Sequence, residues 1–234
     1  MERGNVDIED VKKEMPSKWS CLHSQERFRP KYPDSGVVKY VFRNFNTNKH
    51  EKVLDVGCGA GRHLRFLARE GFDAYGIDFS ESGIGHAKKQ LECEGLNAVC
   101  QVATVDKIPY DDNYFDGCLA IGSIYYCTAD AIKKAADEIF RVLKPGGKAL
   151  VVVRSTEDYR FKGGREVEHH TIIGEETDKS KCAASEHGMS LYFFDRKELE
   201  ELFNKFSKIT IDRVIATHEN EQYEDNDFFV SLEK

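Results

Sequence analysis

No stretch of this sequence approaches the roughly 18 consecutive apolar residues of a transmembrane helix. The opening residues, MERGNVDIEDVKKEMPSKW, lack the apolar centre of a secretory signal. These two absences lead us to expect a cytoplasmic protein with no membrane partner. An excess of positive charge is missing as well: 34 Lys and Arg stand against 41 Asp and Glu, a formal net charge of −7. That balance argues against electrostatically driven nucleic-acid binding. The seven cysteines, at 21, 58, 93, 100, 118, 127 and 182, contain no CxxC pair and are odd in number. They match neither a zinc pattern nor a disulfide framework and read as small buried hydrophobes. Internal repeats and low-complexity tracts are absent too.

What is present is an ordinary globular composition, 40% hydrophobic and 32% charged over 234 residues, enough for a sizeable core. From residue 34 the pattern alternates between periods. DSGVVKYVFRNF spaces Val37, Val38, Val41, Phe42 and Phe45 as a helix, and KVLDVG is a short apolar run of the buried-strand type. A helix from about His63 to Glu70, the strand DAYGID and a helix capped by Ser80 and closed by Gly95 follow. AVCQVA and GCLAIG are two further strands, separated by the turn-rich DKIPYDDNYFD. ADAIKKAADEIFRVL carries an apolar stripe of Ile132, Ala135, Ala136, Ile139 and Leu143, and KALVVV is the fifth strand. Strands alternating with helices at such spacings predict a doubly wound, Rossmann-like α/β sheet, mostly parallel. The tail differs: a helix over DRKELEELFNKF, with Asp195 and Glu198 in capping-box spacing, precedes two strands with no helix between them. Those strands should pair antiparallel at the sheet edge. Residues 155–190 show no period and many charges, and read as a lid on the substrate side.

LDVGCGAGRHL places Gly57, Gly59 and Gly61 directly after the first strand, at the carboxyl end of the sheet where doubly wound folds bind ligands. Glycine there lets a ligand approach the backbone, and the helix that follows offers free N–H groups. Asp78 ends the second strand, placed to accept hydrogen bonds from ribose hydroxyls. The sixth position of the turn is Arg62 rather than the glycine that a pyrophosphate site requires, so the expected ligand is a nucleoside without one.

VLDVGCGAGRHLRFLAREGFDAYGIDFS, IPYDDNYFDG and RVLKPGGKALVVV, in this order, resemble the class I S-adenosylmethionine-dependent methyltransferases, most of all the type 11 or UbiE-like group. The resemblance covers residues 35–154 and implies a seven-stranded sheet with an antiparallel C-terminal strand. It implies S-adenosylmethionine as cofactor, with Asp55, Gly57, Cys58, Gly59 and Gly61 around its methionine portion. Asp78 would hold the ribose and Phe79 would pack on the adenine. Many relatives place an acid five residues before the proline of IPY to accept the adenine amino group; Thr104 stands there in this chain. The Thr104 hydroxyl, the backbone at Val105 and a shifted Asp106 are the alternatives. Ile121 would line the wall near the sulfonium. Trp19 lies in an arm that closes over the cofactor in such enzymes, and core packing is its other role. Residues 34–234 are thus expected to form the methyltransferase domain, with residues 1–33 an N-terminal cap.

Methyl transfer from a sulfonium is an in-line displacement, so alignment and exclusion of water matter more than a catalytic triad, and none is evident. The acceptor-side candidates are Tyr126, just after the fourth strand, and His169 and His187 in the long segment; histidine is the natural base. No HxH or HxxxH spacing is present, and no metal is expected. The expected reaction is methylation of an oxygen or nitrogen atom of a small molecule. A protein or RNA acceptor is the alternative, although IGSIYY replaces the NPPY-like tetrapeptide of many such enzymes, and a non-catalytic cofactor-binding protein is another. Monomer and homodimer are both compatible with the sequence.

Overall fold

A computed structural model describes residues 8–178 and 181–234. Residues 1–7 of the expected cap and residues 179 and 180 of the expected lid lie outside the described residues. In chain order the elements are α1 (Ile8–Ser24), α2 (Ser35–Asn44), β1 (Lys52–Val56), α3 (Arg62–Arg69), β2 (Asp73–Asp78), α4 (Glu81–Glu94), β3 (Ala98–Val102) and β4 (Phe115–Ile121). They continue with α5 (Ala129–Val142), β5 (Leu143–Arg154), α6 (Tyr159–Gly163), β6 (Glu166–Glu168), β7 (Thr171–Ile173), β8 (Ser190–Tyr192), α7 (Arg196–Leu202), β9 (Lys208–His218) and β10 (Tyr223–Glu233).

The main sheet has the order β3-β2-β1-β4-β5-β10-β9. The first five strands are parallel, and β10 runs antiparallel to both β5 and β9. This is the Rossmann-like seven-stranded sheet that the sequence predicts. Both faces of the central strands are buried, which is why they read as continuous apolar runs. In β5, Leu150 and Val152 join one core, with Val53, Leu119 and residues of α2, α3 and α4. Ala149, Val151 and Val153 point the other way, into the core under α5 and α7. The predicted α5 stripe is buried along its whole length. The strand order reverses between β1 and β4, and the crevice at their carboxyl ends is where such a sheet can take a ligand.

Two regions depart from the sequence reading. The segment expected to lack regular structure contains β6 and β7, which with β8 make a three-stranded antiparallel sheet. Strands three residues long are too short to show a period of two. Residues 8–24 form a helix that the charged sequence hides, and it contains Pro16. Met15 of this helix, Ile172 of β7 and Leu191 of β8 share a small core with Met189 and Phe193, and Trp19 and Tyr126 pack against it. Helix α1 and the small sheet therefore form one apolar unit, packed against the turn that follows β4. Among the described residues, no helix is long and apolar enough to cross a membrane.

The capping at α7 is half of what the spacing suggests. Asp195 accepts from the Glu198 amide at 2.8 Å, but the Glu198 carboxylate turns away to the Tyr192 hydroxyl and His170 instead of returning to the cap.

Candidate functional site

The turn after β1 is built on left-handed glycines, with φ of 76° at Gly57, 51° at Gly59 and 85° at Gly61. A Cβ on Gly57 would lie 2.3 Å from the Ser123 Cβ, and one on Gly61 would lie 2.9 Å from the Ala87 Cβ. Those two glycines are thus required by contacts with the β4 end and with α4 as well as by their left-handed backbone. The amides of Gly57 and Cys58 both donate to the Ile77 carbonyl, at 2.8 and 2.9 Å, which laces the turn to β2. The Gly59 amide donates to Asp78 at 2.9 Å and the Ser80 amide donates to its other oxygen at 2.7 Å. Asp78 is thereby held in one orientation at the end of β2.

Asp55 lies beneath this turn and is 1% exposed. One of its carboxylate oxygens, Oδ2, has no hydrogen-bond partner among the described residues. Burial pushes its pKa up to about 7, the Asp78 charge adds to the rise, and Arg62 and the Leu64 amide oppose it. An orphaned carboxylate under a glycine turn is a polar group waiting for a cationic donor.

A cavity of about 500 Å³ opens over the turn. Trp19, Gly57, Cys58, Gly59, Asp78, Phe79, Val105, Ile121 and Tyr126 line it, all of them anticipated from the sequence. Asp55 and Gly61 sit behind the wall, and Thr104 and Asp106 lie outside the lining. Val105 alone of the three adenine-side alternatives reaches the cavity. His169 and His187 do not reach it: both are exposed, His169 in the turn between β6 and β7 and His187 just after the 3₁₀ turn Cys182–Glu186.

The sequence reading missed His23. This α1 residue is buried, and its Nδ1 lies 3.0 Å from the Ser80 hydroxyl. Its ring stands over Gly59, where a Cβ would come within 3.2 Å of Nε2. Burial lowers its pKa; Asp78 opposes that and Arg29 reinforces it, so the ring is neutral near pH 7. No periodic signal marks α1, a charged helix that contains Pro16, so the sequence gives no local sign that His23 is buried.

The opposite wall is a buried polar network. The Tyr126 hydroxyl donates to Glu186 Oε1 at 2.5 Å, while Arg154 grips the same carboxylate with both terminal nitrogens, at 2.9 and 2.8 Å. Arg160 lies 3.6 Å from Glu186 and is itself held by Asp158 and by Asp225. Burial alone would raise the pKa of Glu186, but Arg154 and Arg160 hold it below the usual carboxylate range. Burial and the facing carboxylate push the Tyr126 phenol well above its ordinary value, so it stays a neutral donor. Trp19 packs edge-on against Tyr126, with ring centroids 4.7 Å apart.

Residues 53–147 match the family described as a methyltransferase domain. Over that stretch the chain is similar to methyltransferases, and its sheet has the fold of those that use S-adenosylmethionine. It is 36% identical to a 24-methylenesterol C-methyltransferase of Arabidopsis thaliana over 127 residues, 53% of this chain and 34% of that protein. Among solved structures it superimposes on a SAM-dependent methyltransferase of Methanosarcina mazei with a TM-score of 0.68 and 21% identity, over 83% of this chain and 96% of the other. A 1,6-didemethyltoxoflavin-N1-methyltransferase of Burkholderia thailandensis, solved with its substrate and S-adenosylhomocysteine, also gives 0.68, at 16% identity over 100% and 93% of the two chains. At such identities the structural likeness speaks for the fold. The chain spans from 27% to 53% of the length of the first curated relatives it matches. Two features of the cavity fit S-adenosylmethionine. Asp78 at the end of β2 suits a ribose, and Gly57, Cys58 and Gly59 line the cavity, with the Asp55 carboxylate behind them.

Proposed function

We propose that the protein transfers a methyl group from S-adenosylmethionine to a small-molecule acceptor bound under the cap formed by α1 and the small sheet. The observation that carries this reading is enclosure. Trp19 and His23 cover the glycine turn from one side and Tyr126 and Glu186 line the other, leaving a concave pocket that suits a small acceptor better than a protein side chain or an RNA. The acidic balance of the chain points the same way.

Bound cofactor supplies an electrophilic methyl on a good leaving group. Asp55, Gly57, Cys58 and Gly59 would hold its methionine portion, Asp78 the ribose, Phe79 and Val105 the adenine, and Ile121 the wall beside the sulfonium. The chain's task is then to align the acceptor and exclude water. A second and larger cavity, about 730 Å³, adjoins the first and shares Arg160 and Glu186 with it. In this reading the acceptor enters from that side and meets Tyr126. Glu186, clamped by Arg154, is a weak base. That supports an acceptor that attacks without first losing a proton, an amine nitrogen or an electron-rich carbon, over a hydroxyl oxygen.

Incubation with isotopically labelled methyl donor and fractionated cell extract tests the reading. Label should appear in the small-molecule fraction. Label in protein or RNA would refute the acceptor class, and cofactor binding without turnover in any fraction would make the chain a non-catalytic binder.

A further inference from the structure

We propose that His169, His170 and Glu198 form a divalent-metal site of the zinc type, outside the methyl-transfer cavity, that fastens the small sheet to α7.

Adjacent residues in extended chain point to opposite faces, which is why consecutive histidines do not read as a ligand pair in the sequence. Here they occupy the two-residue turn between Glu168 of β6 and Thr171 of β7, which are paired. His170 takes a left-handed conformation, φ 54°, at a position where glycine or asparagine is the usual occupant. The turn throws both imidazoles to one side, where they stack with centroids 3.9 Å apart and planes 20° apart. His170 Nδ1 lies 3.1 Å from Glu198 Oε2, and one donor atom from each of the three residues falls within 4.8 Å of the others.

Tetrahedral zinc holds nitrogen and oxygen ligands at roughly 2.0–2.2 Å, which puts neighbouring donor atoms about 3.3–3.5 Å apart. The His170–Glu198 spacing is close to that already. His169 is exposed, which leaves a fourth position for water, and its donor atom lies within 4.8 Å of the other two. An ion pair between His170 and Glu198 would account for those two residues alone and would leave the stacked His169 unexplained.

The surroundings orient the donors as second-shell groups do at metal centres. The Tyr192 hydroxyl donates to the other Glu198 oxygen, which explains why this carboxylate abandons the capping box. The His170 amide donates to Glu166 at 2.6 Å, and the Phe161 ring stands perpendicular to the imidazole with centroids 5.9 Å apart. The two histidines belong to the segment over the substrate side and Glu198 to the main domain, so one ion would cross-link the cover to its base.

Tag-free, chelator-treated protein should be titrated with Zn²⁺ by calorimetry and with Co²⁺ by visible absorption. We expect one ion per chain, with the intensity of four-coordinate cobalt and without thiolate charge-transfer bands. His169→Ala, a change at an exposed side chain, should fold normally and bind at least tenfold more weakly. Tyr192→Phe should also weaken binding, by about tenfold, the scale of a lost second-shell partner. At one Zn²⁺ concentration the Tm of the wild type should rise by more than that of His169→Ala. Absence of saturable binding, equal affinity in His169→Ala, or thiolate bands that place the ion on cysteine would each overturn the site.

Discussion

Tyr126 donates its hydroxyl to Glu186 across 2.5 Å, joining the 3₁₀ turn after β4 to the one over Cys182–Glu186. Arg154, at the end of β5, completes the contact from the main sheet. One carboxylate thus links the cavity over the glycine turn, the segment that carries Glu186 and the core of the fold.

Removing either partner separates two roles. Tyr126→Phe leaves Glu186 paired with Arg154 and should cost about 1–2 kcal/mol of stability, the scale of one buried hydrogen bond. Glu186→Gln leaves the Arg154 guanidinium buried without its counter-charge and should cost about 3–5 kcal/mol. Urea denaturation measures both. If Tyr126 positions the acceptor, Tyr126→Phe lowers kcat/KM at least tenfold while cofactor affinity holds; equal loss of both would assign it to the cofactor.

Asp55 should make cofactor binding depend on pH around neutrality. Its pKa in the folded protein is raised to about 7, and a cationic ligand favours its charged form. Affinity should therefore rise as pH increases through 7 and level off above it. The same shift has the opposite sign for folding without ligand: a carboxyl whose folded pKa exceeds its unfolded value destabilises increasingly between about pH 4 and 7. Asp55→Asn should thus bind cofactor more weakly with a flattened pH profile, yet melt at higher temperature at pH 8. Calorimetry and thermal melts across that range check the pair of signs.

Trp19 is the sole tryptophan, lines the cavity, and has a buried indole N–H with no partner among the described residues. Its emission should shift or quench in a saturable way on addition of S-adenosylhomocysteine, with a midpoint equal to the calorimetric Kd. An unchanged spectrum at saturation would remove α1 from the cofactor's cover.

The central sheet was legible because buried parallel strands and amphipathic helices carry strong periods, and β1, β4, β5 and α5 lie where those periods put them. That Gly57, Gly59 and Asp78 share one cavity was legible for another reason: glycines and an acid at fixed offsets from a strand serve a local purpose. The rest depends on long-range packing that leaves no local trace. Three-residue strands, a polar helix interrupted by proline, and a glutamate gripped by an arginine 32 residues away show nothing at the level of neighbouring residues. His23 went unnoticed for that reason, and His169 and His187 drew attention by residue type alone.

Calorimetric titration of the wild type and Asp78→Ala with S-adenosylmethionine tests the account most directly. The wild type should bind one equivalent, and Asp78→Ala should bind more weakly by about 1–3 kcal/mol, the range for a hydrogen bond to a charged group. No uptake by the wild type, or an affinity indifferent to Asp78, would contradict the placement of the nucleoside at the ends of β1 and β2.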